Sequence, residues 1–272
     1  MLSYLRTHAN TIRTSIVSMV YEAQSGHPGG ALGLADIFAV LYCEVLRHKP
    51  KQPDWEQRDY LFLSNGHTCP VLYATLAEHG YFPKDELKTF RQLDARLQGH
   101  PHVGTLPGVE NSGGPLGQGI SQAVGLAAMF QRERRPNRIF CVMGDGELEE
   151  GQCWEAFLFT AKEQLGNLIV IVDRNYIQID GSTRDVDHLD PLSKKLAAFN
   201  WKTIAFDGND IRQIRHALSE AIAITDRPVF LIAKTVPGKG VSFMEGDYHW
   251  HGKVPSQEQT EQALRELRGE HI

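Results

Sequence analysis

The sequence predicts an α/β fold: a mainly parallel sheet with helices on both faces. Short aliphatic runs without polar alternation recur at Tyr60–Leu63, Ile139–Met143, Leu168–Val172, Thr203–Phe206 and Val229–Ala233, as expected for strands buried on both faces. Segments of helical length and 3.6-residue spacing lie between them, at residues 116–134, 149–165 and 210–225. Glycines gather where the two kinds of segment meet. Strand–helix–strand alternation of this kind builds a parallel sheet.

Taken in chain order, Leu5, Ile12, Ile16, Met19 and Ala23 form one apolar helical face. That helix ends at Ser25-Gly26-His27-Pro28-Gly29-Gly30. The run VLYATLAEHG is a second helix, with Gly80 as its left-handed terminator and His79 placed to compensate the helix dipole. Residues 257–269 form a last helix. No internal repeat, low-complexity tract or Pro/Ser linker interrupts the chain, so residues 1–272 read as one domain.

The 28 Lys and Arg against 33 Asp and Glu give a net charge of −5. With no basic run longer than Arg134-Arg135, the chain lacks the charge needed to neutralise a nucleic-acid backbone. The amphipathic N-terminus has no signal-peptide core, and no apolar stretch approaches the ~20 residues of a spanning helix. A cytoplasmic protein with no membrane contact is expected. Cys43, Cys69, Cys141 and Cys153 form no C-x-x-C pair, which predicts reduced thiols packed as small hydrophobes and neither disulfides nor a zinc site.

The glycine clusters are SGHPGG (25–30), NSGGPLGQG (111–119), GDGELEEG (144–151) and PGKG (237–240). Such loops permit positive φ and close approach of an anion to backbone N–H groups, although ordinary turns account equally well for any one of them. Neither G-x-G-x-x-G nor G-x-x-x-x-G-K-[ST] occurs. Asp145 follows the second predicted strand and Asn175 the third. Both therefore fall at the carboxyl edge of the sheet, where open α/β folds bind ligands. With a carbonyl from Tyr176-Ile177-Gln178, they would offer hard oxygen ligands for Mg²⁺ or Ca²⁺ on a diphosphate. The alternative at this point is an Asp that merely caps the following helix.

The order GDG at 144–146, thirty positions, then Asn175 in DRNYIQIDG resembles the thiamine-diphosphate signature. Four longer stretches, SGHPGGALGLADI, SNGHTCPVLYATLAEHGYF, GHPHVGTLPGVENSGGPLGQGISQAVGLA and KTVPGKGVSFMEGDYHWHGKVP, resemble the N-terminal part of transketolase. The resemblance implies that Asp145, Asn175 and the Ile177 carbonyl hold the metal on thiamine diphosphate. It implies that His67, Gly114, Pro115, Leu116, Gly146, Glu150, Ile179 and His251 meet the cofactor. Arg174 stands where the family usually has a first asparagine, and His102 where a glutamate is common.

The same resemblance gives catalytic or binding roles to His27 and His100 at the ketose hydroxyls, His67 between cofactor and substrate, and His251 at the substrate oxygen. Histidine suits ketol transfer because cleaving the ketose C3–C4 bond requires moving a hydroxyl proton near neutral pH. In the family the glutamate that activates the cofactor comes from a pyrimidine-binding domain, which has no counterpart in these residues. The resemblance therefore implies a C-terminal partner subunit in a heterotetramer with two copies of each chain, acting on sugar phosphates. A related ketol transferase for a sulfosugar or branched sugar, and a non-catalytic subunit retaining the fold, are the alternatives.

Overall fold

The computed structural model describes residues 2–179 and 181–270. The elements in chain order are α1 (Leu2–Ala23), α2 (Pro28–Val40) continued by a π-helical turn (Leu41–Val45), β1 (Tyr60–Leu63), α3 (Cys69–Glu78), α4 (Gln118–Arg132), β2 (Ile139–Gly144) and α5 (Gly151–Lys162). Then follow β3 (Leu168–Arg174), the short strands β4 (Ile177–Gln178) and β5 (Gly181–Ser182), α6 (Thr183–Val186), α7 (Leu192–Ala198), β6 (Lys202–Asp207), α8 (Ile211–Ala223), β7 (Val229–Lys234) and α9 (Gln257–Arg268). The main sheet runs β1-β2-β3-β7-β6, and every pairing in it is parallel. All five predicted strands are present.

The period-two rule divides the sheet residues between two cores. Leu61, Leu63, Phe140, Val142, Ile169, Ile171 and Leu231 pack with residues from α1, α2, α3, α8 and α9. Phe62, Cys141, Met143, Val170, Val172, Phe230 and Ile232 pack with residues from α4, α5 and α7. Both faces are thus covered, which explains why β2, β3 and β7 carry no polar alternation. β6 departs from that expectation: it is the edge strand, and only Phe206 is fully buried in it. Its Lys202 and Asp207 are exposed at its ends, charges that discourage further strand pairing.

Local chemistry sets the helix ends. Ser256 and Gln259 make a reciprocal capping box at α9, whose far end is closed by Gly269 at φ 78°. Asp210 caps α8 by accepting from the Arg212 and Gln213 amides. Pro28 opens α2 at the position where a missing N–H costs nothing.

Three sequence expectations need correction. Helix α2 starts inside the Ser25–Gly30 stretch read as the end of the first helix and runs on beyond it, with no periodicity to reveal it, because it is apolar all round and every residue but Gly30 is buried. With its π-turn it forms an apolar helical segment, Pro28–Val45, long enough to cross a membrane by length and composition. Since 78% of that segment is buried inside the fold, it is a core helix. His79 does end α3 with Gly80 at φ 79°. However, burial, followed by the neighbouring His48, pushes its pKa down to about 4, so a neutral ring cannot compensate the dipole at neutral pH. All four cysteines are free thiols, with Cys69, Cys141 and Cys153 buried and Cys43 half-buried.

Candidate active site

Parallel strands bring every β-to-α turn to one edge of the sheet, and the site is built there. His27 precedes α2, and His67 lies in the turn Gly66–Thr68 after β1. His100 comes from the loop before α4, and His251 ends the turn Tyr248–His251. Their rings meet: centroids are 5.5 Å apart for His27 and His67, 5.5 Å for His27 and His251, 6.3 Å for His27 and His100, and 5.0 Å for His67 and His251. Four residues far apart in sequence therefore form one cluster.

Burial is the main reason all four titrate low. His67 is lowered to about 3 and His27 to about 4, with the neighbouring imidazoles adding to the effect. His100 and His251 move in the same direction by burial, with Arg91 adding to the shift at His100. At neutral pH the cluster is uncharged, so each ring keeps one lone pair to accept a proton. Sequence reasoning missed Arg91. Its guanidinium lies 3.4 Å from His27 Nδ1 and donates to the Ser25 hydroxyl and the Gly99 carbonyl. Arginine only donates, so Nδ1 of His27 accepts and the ring proton sits on Nε2. His27 is thereby set to donate. No spacing marked Arg91, which stands at φ 58° in an irregular segment.

At the ends of β2 and β3, Asp145 is buried and accepts from the Gly146 amide at 2.9 Å and the Tyr176 amide at 2.7 Å. Burial raises its pKa to about 6, against the pull of Arg174. Asn175 Oδ1 accepts from the Ile177 amide at 2.9 Å, and its Nδ2 donates to Asp173 at 2.9 Å. The predicted ligands Asp145, Asn175 and Ile177 are thus tied together through one turn. Arg174, a departure at the sequence level, is fully buried and donates to Asp145 Oδ2 at 3.1 Å and to Asp190 at 3.2 Å.

The donor set fits a diphosphate with a hard cation, on an observation independent of sequence. Asn65 follows β1, is completely buried, and has neither its Oδ1 nor its Nδ2 satisfied among the described residues. Its Cβ lies beside Gly144 at the end of β2. An unpaired buried amide is costly, and a polar ligand at this edge would satisfy it. Gly114, at φ 128°, has open space at the Cβ position, with His100 the nearest group at 3.9 Å. A Cβ at Gly146 would come within 3.1 Å of Gln178, so this glycine serves packing inside the chain.

The remaining predicted residues lie around this edge. Pro115 and Leu116 are exposed in the loop before α4, and Ile179 is 71% exposed beside the β4–β5 hairpin. Glu150 is exposed immediately before α5 and makes no capping bond. His102 is exposed. Glu147, which the sequence reading passed over, is buried and accepts from the Ser64 hydroxyl, the Gly117 amide at 2.8 Å and the Gly144 amide at 3.1 Å.

Four clustered histidines, a buried Asp145 and a half-buried Asn175 at the carboxyl edge of a parallel sheet make this an α/β fold with its polar groups gathered where such folds bind ligands. Residues 5–270 match the family described as "Transketolase, thiamine diphosphate binding domain", and the chain belongs to that family. It is 42% identical over 272 residues to one of the subunits of the apulose-4-phosphate transketolase of Actinobacillus succinogenes, covering 99% of this chain and 98% of that one. It is 38% identical over 266 residues to the 6-deoxy-6-sulfo-D-fructose transketolase subunit SqwG of a Clostridium species, covering 98% and 97%. Transketolase 1 of Escherichia coli is 41% identical over 256 residues, which are 90% of this chain and 38% of that enzyme. The crystal structure of transketolase from Campylobacter jejuni superposes with a TM-score of 0.94 at 36% identity, covering 98% of this chain and 43% of that one. These relatives are transferases, and the chain corresponds to about two-fifths of the full-length enzymes.

Proposed function

We propose that this chain is the diphosphate-binding subunit of a two-chain transketolase. With thiamine diphosphate and Mg²⁺ or Ca²⁺, it moves a two-carbon ketol unit from a ketose to an aldose, and its activity requires a separate C-terminal subunit. In this reading residues 1–272 act as one domain. The observation that carries it is the convergence of His27, His67, His100 and His251 at the edge that also holds Asp145 and Asn175.

Thiamine diphosphate supplies the electron sink for breaking the ketose carbon–carbon bond. The protein's share is positioning and proton handling. Asp145, the Asn175 side chain and the Ile177 carbonyl would hold the metal, with Gly114, Pro115, Leu116, Gly146, Glu150 and Ile179 around the cofactor. His27, its proton fixed on Nε2 by Arg91, donates to a ketose oxygen. His100, neutral and only half-buried, accepts the hydroxyl proton and returns it to the product. His67 and His251, with ring centroids 5.0 Å apart, would meet the cofactor, His251 also at the substrate oxygen.

Apolar side chains left exposed around this edge, Leu116 and Ile179, and on α5, Leu158 and Phe159, support a partner surface. Relatives named as separate subunits and matched over nearly their whole length support a split enzyme, and two copies of each chain are the assembly we propose. Because those two relatives are named for 6-deoxy-6-sulfo-D-fructose and apulose 4-phosphate, a specialised ketose is the second reading. Four free thiols suit a reducing compartment, in line with a cytoplasmic location.

The test is calorimetric titration of thiamine diphosphate with Mg²⁺ into the chain alone and mixed with its C-terminal partner, followed by ketol-transfer assays on several donors. Tight binding and turnover in the mixture only are expected. Full activity from the chain alone would overturn the split assignment.

A further inference from the structure

We propose that His8, Cys43 and His79 form a zinc-type metal site at the far end of α2 from the catalytic histidines. His8 lies on α1, Cys43 in the π-helical turn that continues α2, and His79 at the end of α3. One ligand atom from each lies within 4.8 Å of the other two. Cys43 Sγ is 3.9 Å from His79 Nε2. Tetrahedral zinc, with bonds of about 2.0 to 2.3 Å, sets its ligand atoms about 3.3 to 3.8 Å apart. Side-chain adjustments of about an ångström would close the site.

Two further observations favour a ligand there. His8 Nδ1 is buried and has no hydrogen-bond partner among the described residues. The Glu78 carboxylate stands 3.8 Å from that nitrogen and can supply a fourth ligand. The surroundings are already braced. His79 packs on His48 and Tyr42, with centroids 5.4 and 5.5 Å apart, and His48 is committed to the Tyr81 hydroxyl and the Tyr42 carbonyl. His48 is therefore a wall of the site and not a ligand. Two imidazoles and a thiolate select zinc or a similar borderline metal over Mg²⁺, so this site and the oxygen-rich edge at Asp145 take different ions. Cys43 follows His27 by sixteen residues of nearly continuous helix, about 24 Å. The sequence could not show the grouping, since its members are 35 and 36 positions apart and match no ligand spacing.

Cobalt(II) titrated into the full chain tests this. One equivalent should produce a thiolate-to-cobalt charge-transfer band in the near ultraviolet, zinc should abolish it stoichiometrically, and Cys43 should be shielded from thiol reagents. Cys43→Ser should lose the band, while His67→Ala, in the catalytic cluster, should keep it. His8→Ala and His79→Ala should each weaken zinc binding by more than the roughly tenfold to hundredfold of an outer-shell change. Metal-free thermal midpoints of the three variants establish that they fold. The proposal is overturned if no charge-transfer band forms, if the band survives in Cys43→Ser, or if the folded histidine variants bind zinc as tightly as the parent.

Discussion

The Ser64 hydroxyl donates to the buried carboxylate of Glu147, joining the end of β1 to the turn that follows β2. Gly117 and Gly144 donate to the same carboxylate, so three segments of the sheet edge converge on one side chain. Burial raises the Glu147 pKa to about 7, against the pull of these donors.

Removing the Ser64 hydroxyl should therefore be costly. Ser64→Ala is expected to destabilise the fold by about 1.5–3 kcal/mol, the range for a hydrogen bond to a charged group. Because the folded-state pKa of Glu147 lies above its unfolded value, the stability it contributes is full below that unfolded value and is lost as pH rises through about 7. Ser64→Ala should steepen that loss. Urea unfolding at about pH 5 and about pH 7.5 measures both effects.

The histidine cluster has the opposite sign. His27 and His67 have folded pKa values of about 4 and about 3, below the ordinary histidine value. The folded state thus resists their protonation. Their contribution is complete above about pH 6.5 and is lost as pH falls through about 4 towards about 3. The thermal midpoint should drop over that interval, and His67→Asn should flatten the drop. An unchanged acid limb in the variant would show that these rings are not buried neutral.

Ligand retention and turnover should separate cleanly. Asp145→Ala is expected to weaken cofactor and metal binding by at least about a hundredfold, more than an outer-shell change. His100→Ala should leave binding within a fewfold and lower kcat by about 10²–10⁴, the usual range for a lost acid–base group. Calorimetry and steady-state assays of the two-chain mixture distinguish them. Equal cofactor affinity in Asp145→Ala and the parent removes the metal assignment.

Asn65 gives a prediction of stability against function. Its amide is buried and unpaired among the described residues, so Asn65→Leu, of similar size, should leave the free protein as stable or raise its stability by about 1–3 kcal/mol. The same change should weaken thiamine diphosphate by roughly tenfold to a hundredfold, the range of a single hydrogen bond to a charged group. Denaturant melts and calorimetry on one variant test both halves.

Much of this was legible in the sequence, for identifiable reasons. The five strands announced themselves because β2, β3 and β7 are buried on both faces, and the site followed because parallel strands collect their turns at one edge. The four histidines could be named from motifs, although the motifs gave no sign that burial would hold them neutral. Helix α2 was hidden because a helix apolar on every side has no period to detect. Arg91 and Glu147 were hidden for another reason: each acts through partners far away in sequence, Ser25 and His27 for one, Ser64 and Gly117 for the other. No local pattern records such pairings.

The bond from Arg174 to Asp145 gives the proposed metal carboxylate a resident counter-charge. A buried anion without a partner would burden the fold until its ion arrived. Here Arg174 supplies that partner from within the chain, so the carboxylate needs no bound ion to be balanced in the folded protein. A metal bound as proposed would replace one cation with another there, and the guanidinium would share or surrender its oxygen.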